Sequence, residues 1–172
     1  MSRREDRHVP AWRRAATSAL GAGAVLGALV LVLSSDAATA VVRRAFAVVT
    51  SAVLNVLGNN TVAQGTDILS HEFGISVVTA CTGLFVTGLF LAAVVAFPTS
   101  WRARLVGTGV GLVGLFLVNV VRLASLYYVG MYWRSALEPV HQLVWQSLVI
   151  AIAVSLWLLW AGRAGSQTRR AT

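Results

Sequence analysis

Residues 80–98 read ACTGLFVTGLFLAAVVAFP, an apolar run with Cys81 at its lip and Pro98 closing it. From Thr82 to Phe97 the run carries no charge, and its few non-aliphatic positions are Thr, Gly and Phe. Such a stretch suits a helix solvated by lipid, and at about 1.5 Å per residue it covers most of a bilayer core of roughly 30 Å. Proline cannot continue the helix, so the span ends there.

Working outward, three more runs of this kind appear: Ala15–Leu33, Leu105–Val121 and Gln142–Ala161. The 172-residue chain is 57% hydrophobic and only 12% charged, whereas soluble domains carry about a quarter charged residues. The sequence therefore predicts an all-α integral membrane protein with four transmembrane helices. Its expected organisation is a basic tail (1–14), a first helix (15–33), an amphipathic helix and loop (34–80), a three-helix core (81–161) and a second tail (162–172). The basic start, the apolar middle and Ala38-Thr39-Ala40 also fit a signal peptide with its cleavage site. The length of the run favours a retained helix.

The net charge of +8 raises the question of nucleic acid, and its placement answers it. Arg3, Arg4, Arg7, Arg13, Arg14, Arg102, Arg104, Arg163, Arg169 and Arg170 flank apolar runs, a positive-inside pattern and not a basic groove. The segments between, with Arg43, Arg44, Arg122 and Arg134, are balanced by Asp36, Asp67, Glu72 and Glu138. Both termini are expected in the cytoplasm, with no nucleic-acid partner.

Asp36 to Leu57 reads as an amphipathic helix with Val42, Phe46, Val49, Val53 and Leu57 on one stripe, ended by Gly58-Asn59-Asn60. Gly65 and the β-prone Gly74-Ile75-Ser76-Val77-Val78 suggest a short hairpin or loop outside the cytoplasm. Trp101 to Arg104 reads as a cytoplasmic loop, and Arg134 to Pro139 as an outer one. Gly107 and Gly111 give the third span a small-residue face on which a substrate helix or any other helix could pack closely, if the chain has such a partner.

Three residues carry candidate chemistry. Arg122 lies within an apolar run, where a guanidinium costs roughly 2.5 kcal/mol or more. Asn119, three residues earlier, shares its helical face. Snorkelling to the headgroups is the plain alternative to a ligand-contacting role. Cys81 is the only cysteine, so an internal disulfide is excluded, and it is inert, paired between chains, or reactive. Its place at the start of the second span, where helix N–H groups are unpaired, favours a thiolate. His141 opens the fourth span, with Gln142 and Gln146 continuing a polar edge; His71 in the outer loop is the other histidine available as a base. No spacing of ligands suggests a metal, and no cofactor is expected. A thiol, an imidazole and a guanidinium converging at one membrane face would form a site for acyl transfer.

With Ala80-Cys81-Thr82-Gly83, Asn119-Val120-Val121-Arg122 and His141 in this order, residues 74–161 resemble the exosortase/archaeosortase family of membrane transpeptidases. The resemblance implies Cys81 as nucleophile, Arg122 and His141 completing a sortase-like triad, and Asn119 and Thr82 in support; the family commonly has Ser where this chain has Thr82. It also implies exported protein substrates with a C-terminal motif, a hydrophobic helix and a basic cluster, cut at the outer face of the cytoplasmic membrane through a thioacyl intermediate. The alternative from the residues alone is a non-enzymatic membrane component in which Arg122 binds an anionic lipid or solute.

Overall fold

A computed structural model describes residues 11–170, and side chains for 16–166; most of the expected basic tail and the last two residues lie outside the described residues. Five long helices carry the fold: α1 (Ala11–Ser34), α2 (Asp36–Val56), α3 (Leu84–Ala96), α4 (Trp101–Tyr132) and α5 (Gln146–Arg170). Between α2 and α3 stand three short antiparallel strands, β1 (Val62–Gln64), β2 (Asp67–Leu69) and β3 (Gly74–Ser76), with β2 central. The protein is all-α and integral to the membrane in class, the small sheet being its one departure among the described residues.

Helices α1, α3, the first half of α4, and α5 form an antiparallel bundle. Glycines set its contacts. Gly88 receives Leu29 of α1, Gly111 receives Phe90 of α3, and Gly107 lies under Trp160 of α5, whose indole N–H donates to the carbonyl of Ala103 at 2.9 Å. A Cβ at Gly111 would come within 2.0 Å of the Phe90 ring. The small face of α4 is thus filled from within the chain and is not open to a substrate helix as the sequence suggested.

The second half of α4 runs on past the bundle. Its 32 residues extend about 48 Å at 1.5 Å per residue, well beyond a bilayer core. There α2 lies alongside it, with Phe46 against Phe116 at 4.9 Å between ring centroids and Asn59 donating to the Tyr128 hydroxyl at 2.5 Å. The strands cover the same end: Phe73 meets Tyr127 edge-on and fills the space over Gly130. Two apolar cores result. One joins α2, the strands and distal α4 around Leu54, Ile68, Leu123 and Tyr127; the other lies in the bundle around Phe90, Val94, Leu115 and Trp160.

Four segments are long and apolar enough to cross a membrane: Ala16–Ser34, Asp36–Val56, Trp101–Tyr132 and Arg134–Ser166. Three of them correspond to the expected first, third and fourth spans, and the remaining one is α2 in place of the expected second. Helix α2 qualifies by length and composition although it lies beside distal α4, outside the bundle, whereas α3 has only 13 residues. Its start is delayed because Gly83 adopts φ +66°, a left-handed conformation that interrupts the helical path.

Other local readings shift. The buried face of α2 runs through Phe46, Ala47, Thr50 and Leu54, while Val53 and Leu57 face outward; small residues there permit closer packing than the valine stripe. Trp101 to Arg104 is no loop but the first turn of α4, because the Ser100 hydroxyl accepts from the N–H of Ala103 at 3.3 Å and caps it. Arg134 to Pro139 is helical rather than a loop, and leads into a π-helical turn at Val140–Trp145 that merges with α5.

Candidate active site

Cys81 sits in a 3₁₀ turn, Thr79–Thr82, whose Thr82 hydroxyl donates to the Thr79 carbonyl at 2.7 Å. Gly83 then turns the chain into α3. The left-handed step separates Cys81 from the first turn of α3, so the expected help from that helix's free N–H groups does not apply. What stands beside the sulfur is an imidazole: His141 Nε2 lies 3.0 Å from Cys81 Sγ.

His141 belongs to the π turn ahead of α5. An α-helix advances 100° per residue, so residues five apart point about 140° away from each other; a turn closed by i→i+5 bonds brings them towards one face. Here His141 meets Cys81, and Gln146, five residues on, lines the cavity bounded by Thr79, Ala80 and Gly83. The two side chains therefore face the same segment.

Arg122 arrives from α4 and is 1% exposed. Its Nη2 donates to the main-chain carbonyl of His141 at 3.3 Å, and its Nε has no partner. No carboxylate pairs with it among the described residues. The guanidinium borders a cavity of about 230 Å³ together with Gly83, Leu84 and Gln146. Burial therefore settles the snorkelling alternative: the charge turns inward.

Asn119, one turn earlier on α4, is also buried; its amide donates to the Leu115 carbonyl at 2.7 Å while its own oxygen is unpartnered. It packs directly on Gly83, where a Cβ would approach its Nδ2 to 2.2 Å. Asn119 thus fixes the turn that carries Cys81, a role its spacing from Arg122 alone did not reveal.

Burial pushes the Cys81 thiol above its ordinary value, while the Arg122 charge and a backbone hydrogen bond with Val78 pull it down less strongly. The upward shift favours the neutral thiol, and an imidazole stands within hydrogen-bond reach of it. His71, by contrast, is exposed in the β2–β3 loop. No group of side chains that could hold a metal ion exists among the described residues. A thiol, an imidazole, a buried cation and an adjoining cavity are the parts of a nucleophilic acyl-transfer centre. Sequence reasoning missed Gly83, whose demand for positive φ no periodicity displays, and saw Gln146 only as part of a polar edge.

The family model described as transmembrane exosortase matches residues 11–161. Neither a curated protein nor a solved structure matches the chain.

Proposed function

The chain belongs to the transmembrane exosortase family, and from that premise we propose that it is a membrane cysteine transpeptidase or protease acting through Cys81, His141 and Arg122 on C-terminal sorting signals of exported proteins. The single observation that carries the reading is the 3.0 Å approach of His141 Nε2 to Cys81 Sγ beside a buried guanidinium. His141 takes the thiol proton as Sγ adds to the peptide carbonyl. The developing oxyanion is stabilised by Arg122, the one charged side chain lining the adjoining cavity. The tetrahedral adduct collapses to a thioester as His141 gives the proton to the leaving amine. A second nucleophile then attacks the thioester carbonyl, losing its proton to His141 and releasing the thiol.

An amine acceptor gives transfer and water gives hydrolysis. The site faces outward from the cytoplasmic membrane in this reading, with both termini inside, supported by the distribution of arginines. Its substrates are exported proteins ending in a motif, a hydrophobic helix and a basic cluster. A second reading is favoured by one observation, the buried guanidinium of Arg122 with no partner for its Nε: a binding protein for an anionic lipid or solute, with Cys81 incidental.

The test is co-expression with an exported protein bearing such a tail, with and without Cys81→Ala, followed by mass spectrometry. Tail removal that depends on Cys81 supports the enzyme, and the product mass separates transfer from hydrolysis. Equal processing in both strains removes the nucleophile and leaves the binding reading.

A further inference from the structure

Below the cavity at Arg122, a larger apolar groove of about 470 Å³ runs between α3 and α5. Phe85, Val86 and Gln146 line both spaces. The groove continues along α5 through Ile150, Ala153, Val154 and Trp157, about 16 Å of helix at 1.5 Å per residue. Among the described residues that line it, Gln146 is the only one with a polar amide, and the other hydrogen-bonding group is the indole N–H of Trp157 at the far end. Gln146 is half-buried, and its amide makes no hydrogen bond within the protein yet stays accessible at the wall of the cavity, free to pair with a bound group. The π turn is what aims it at the junction, since in a regular helix it would point well away from His141.

We infer that Gln146 binds the main chain of the substrate where it leaves the polar cavity, and that the apolar segment next to the scissile bond lies in the α3–α5 groove. This rests on the enzyme reading above. A peptide carbonyl placed between Cys81 and Arg122 has the shared wall of Phe85, Val86 and Gln146 as its path onward, and that path is apolar. The Gly face of α4 is no competitor, because Trp160, Phe90 and Leu156 already occupy it. The amide of Gln146 can both donate to and accept from a peptide unit, so it recognises backbone and not a particular side chain.

Two measurements test the assignment. A photo-crosslinking residue is placed at Ile150, in the groove, or at Leu148, 200° around α5 from Gln146, in a Cys81→Ala chain co-expressed with a reporter ending in about twenty apolar residues. Crosslinks from 150 and none from 148 are expected. Equal crosslinking from both, or none from 150, overturns the groove. This arm needs no catalysis, so a reporter that the unaltered protein fails to process refutes the enzyme reading while the crosslinks still judge the groove. Gln146→Leu should raise KM for the same reporter about five- to tenfold, the worth of one hydrogen bond, with kcat little changed. An unchanged KM, or a loss confined to kcat, overturns the role of the amide.

Discussion

Replacing Gly83 by Ala should damage the site more than any other single methyl group. Gly83 sits at φ +66°, where an L-residue costs about 1–2 kcal/mol. The added Cβ would lie 2.2 Å from Asn119 Nδ2, so Asn119 must move and its bond to the Leu115 carbonyl, 2.7 Å, is lost. A buried hydrogen bond contributes about 1 kcal/mol, giving a total of about 2–3 kcal/mol. That corresponds to a roughly 30- to 150-fold shift in the local equilibrium. The 3₁₀ turn carrying Cys81 is the element displaced, so processing should fall and the melting temperature in detergent should drop together. Gly109→Ala is the internal control, since nothing lies within 4 Å of a Cβ there and Ala is the better helix former; it should be neutral or stabilising. Equal behaviour of the two variants in melting and processing would refute the account of Gly83 as the hinge of the site.

Three other outcomes follow from the same geometry. Arg122→Met should keep or raise thermal stability while abolishing processing, because a buried charge with one long hydrogen bond and no ion pair destabilises the fold it serves; a strong loss of stability would show the guanidinium to be structural. Alkylation of Cys81 by iodoacetamide should accelerate only as pH climbs past the ordinary thiol range near 8.5, because burial raises the thiol. With the protonated form favoured in the fold, the associated stability is complete at neutral pH and is lost as pH rises through the raised value; an inflection below about 7 would reveal a thiolate–imidazolium pair instead. Deleting exposed Leu143 from the π turn should relax it to an α-helix, swing His141 about 100° from Cys81 and lower processing by the roughly 10²–10⁴ a general base supplies, with folding retained; unchanged activity would make the turn incidental.

The apolar runs made the membrane helices legible because lipid solvation needs only length and absence of charge, and those are written locally. Pro98 and Gly58 marked real ends for the same reason. The start of α3 was not legible, since Gly83 breaks the helix through its dihedral and not through polarity. The stripe on α2 held at Val42, Phe46 and Val49 and failed at Val53 and Leu57, because the small Ala47 and Thr50 take the buried face lower down. Cys81 and His141 are 60 residues apart in the chain, so the topology of the spans could bring them to one membrane face but only the resemblance assigned them roles in one triad. The π turn escaped altogether, because a reading at 3.6 residues per turn assigns His141 and Gln146 to different faces.

Arg122 then explains why the site lies where it does. At the bilayer centre a guanidinium costs roughly 2.5–3.5 kcal/mol, and near the end of a span it escapes that cost by reaching water. This one does neither. It stands one turn above Asn119, at the level where the bundle ends, yet the turn that carries Cys81, the head of α3 and the π turn close round it and leave it 1% exposed. That enclosure makes a residue that could have been solvated into a buried cation with an unpartnered Nε beside a cavity. A fold selected for stability alone would fill that position with an apolar chain of similar volume. In the proposed mechanism, retaining the charge near the thiol and imidazole is what gives a developing anion a place to form without water to compete for it.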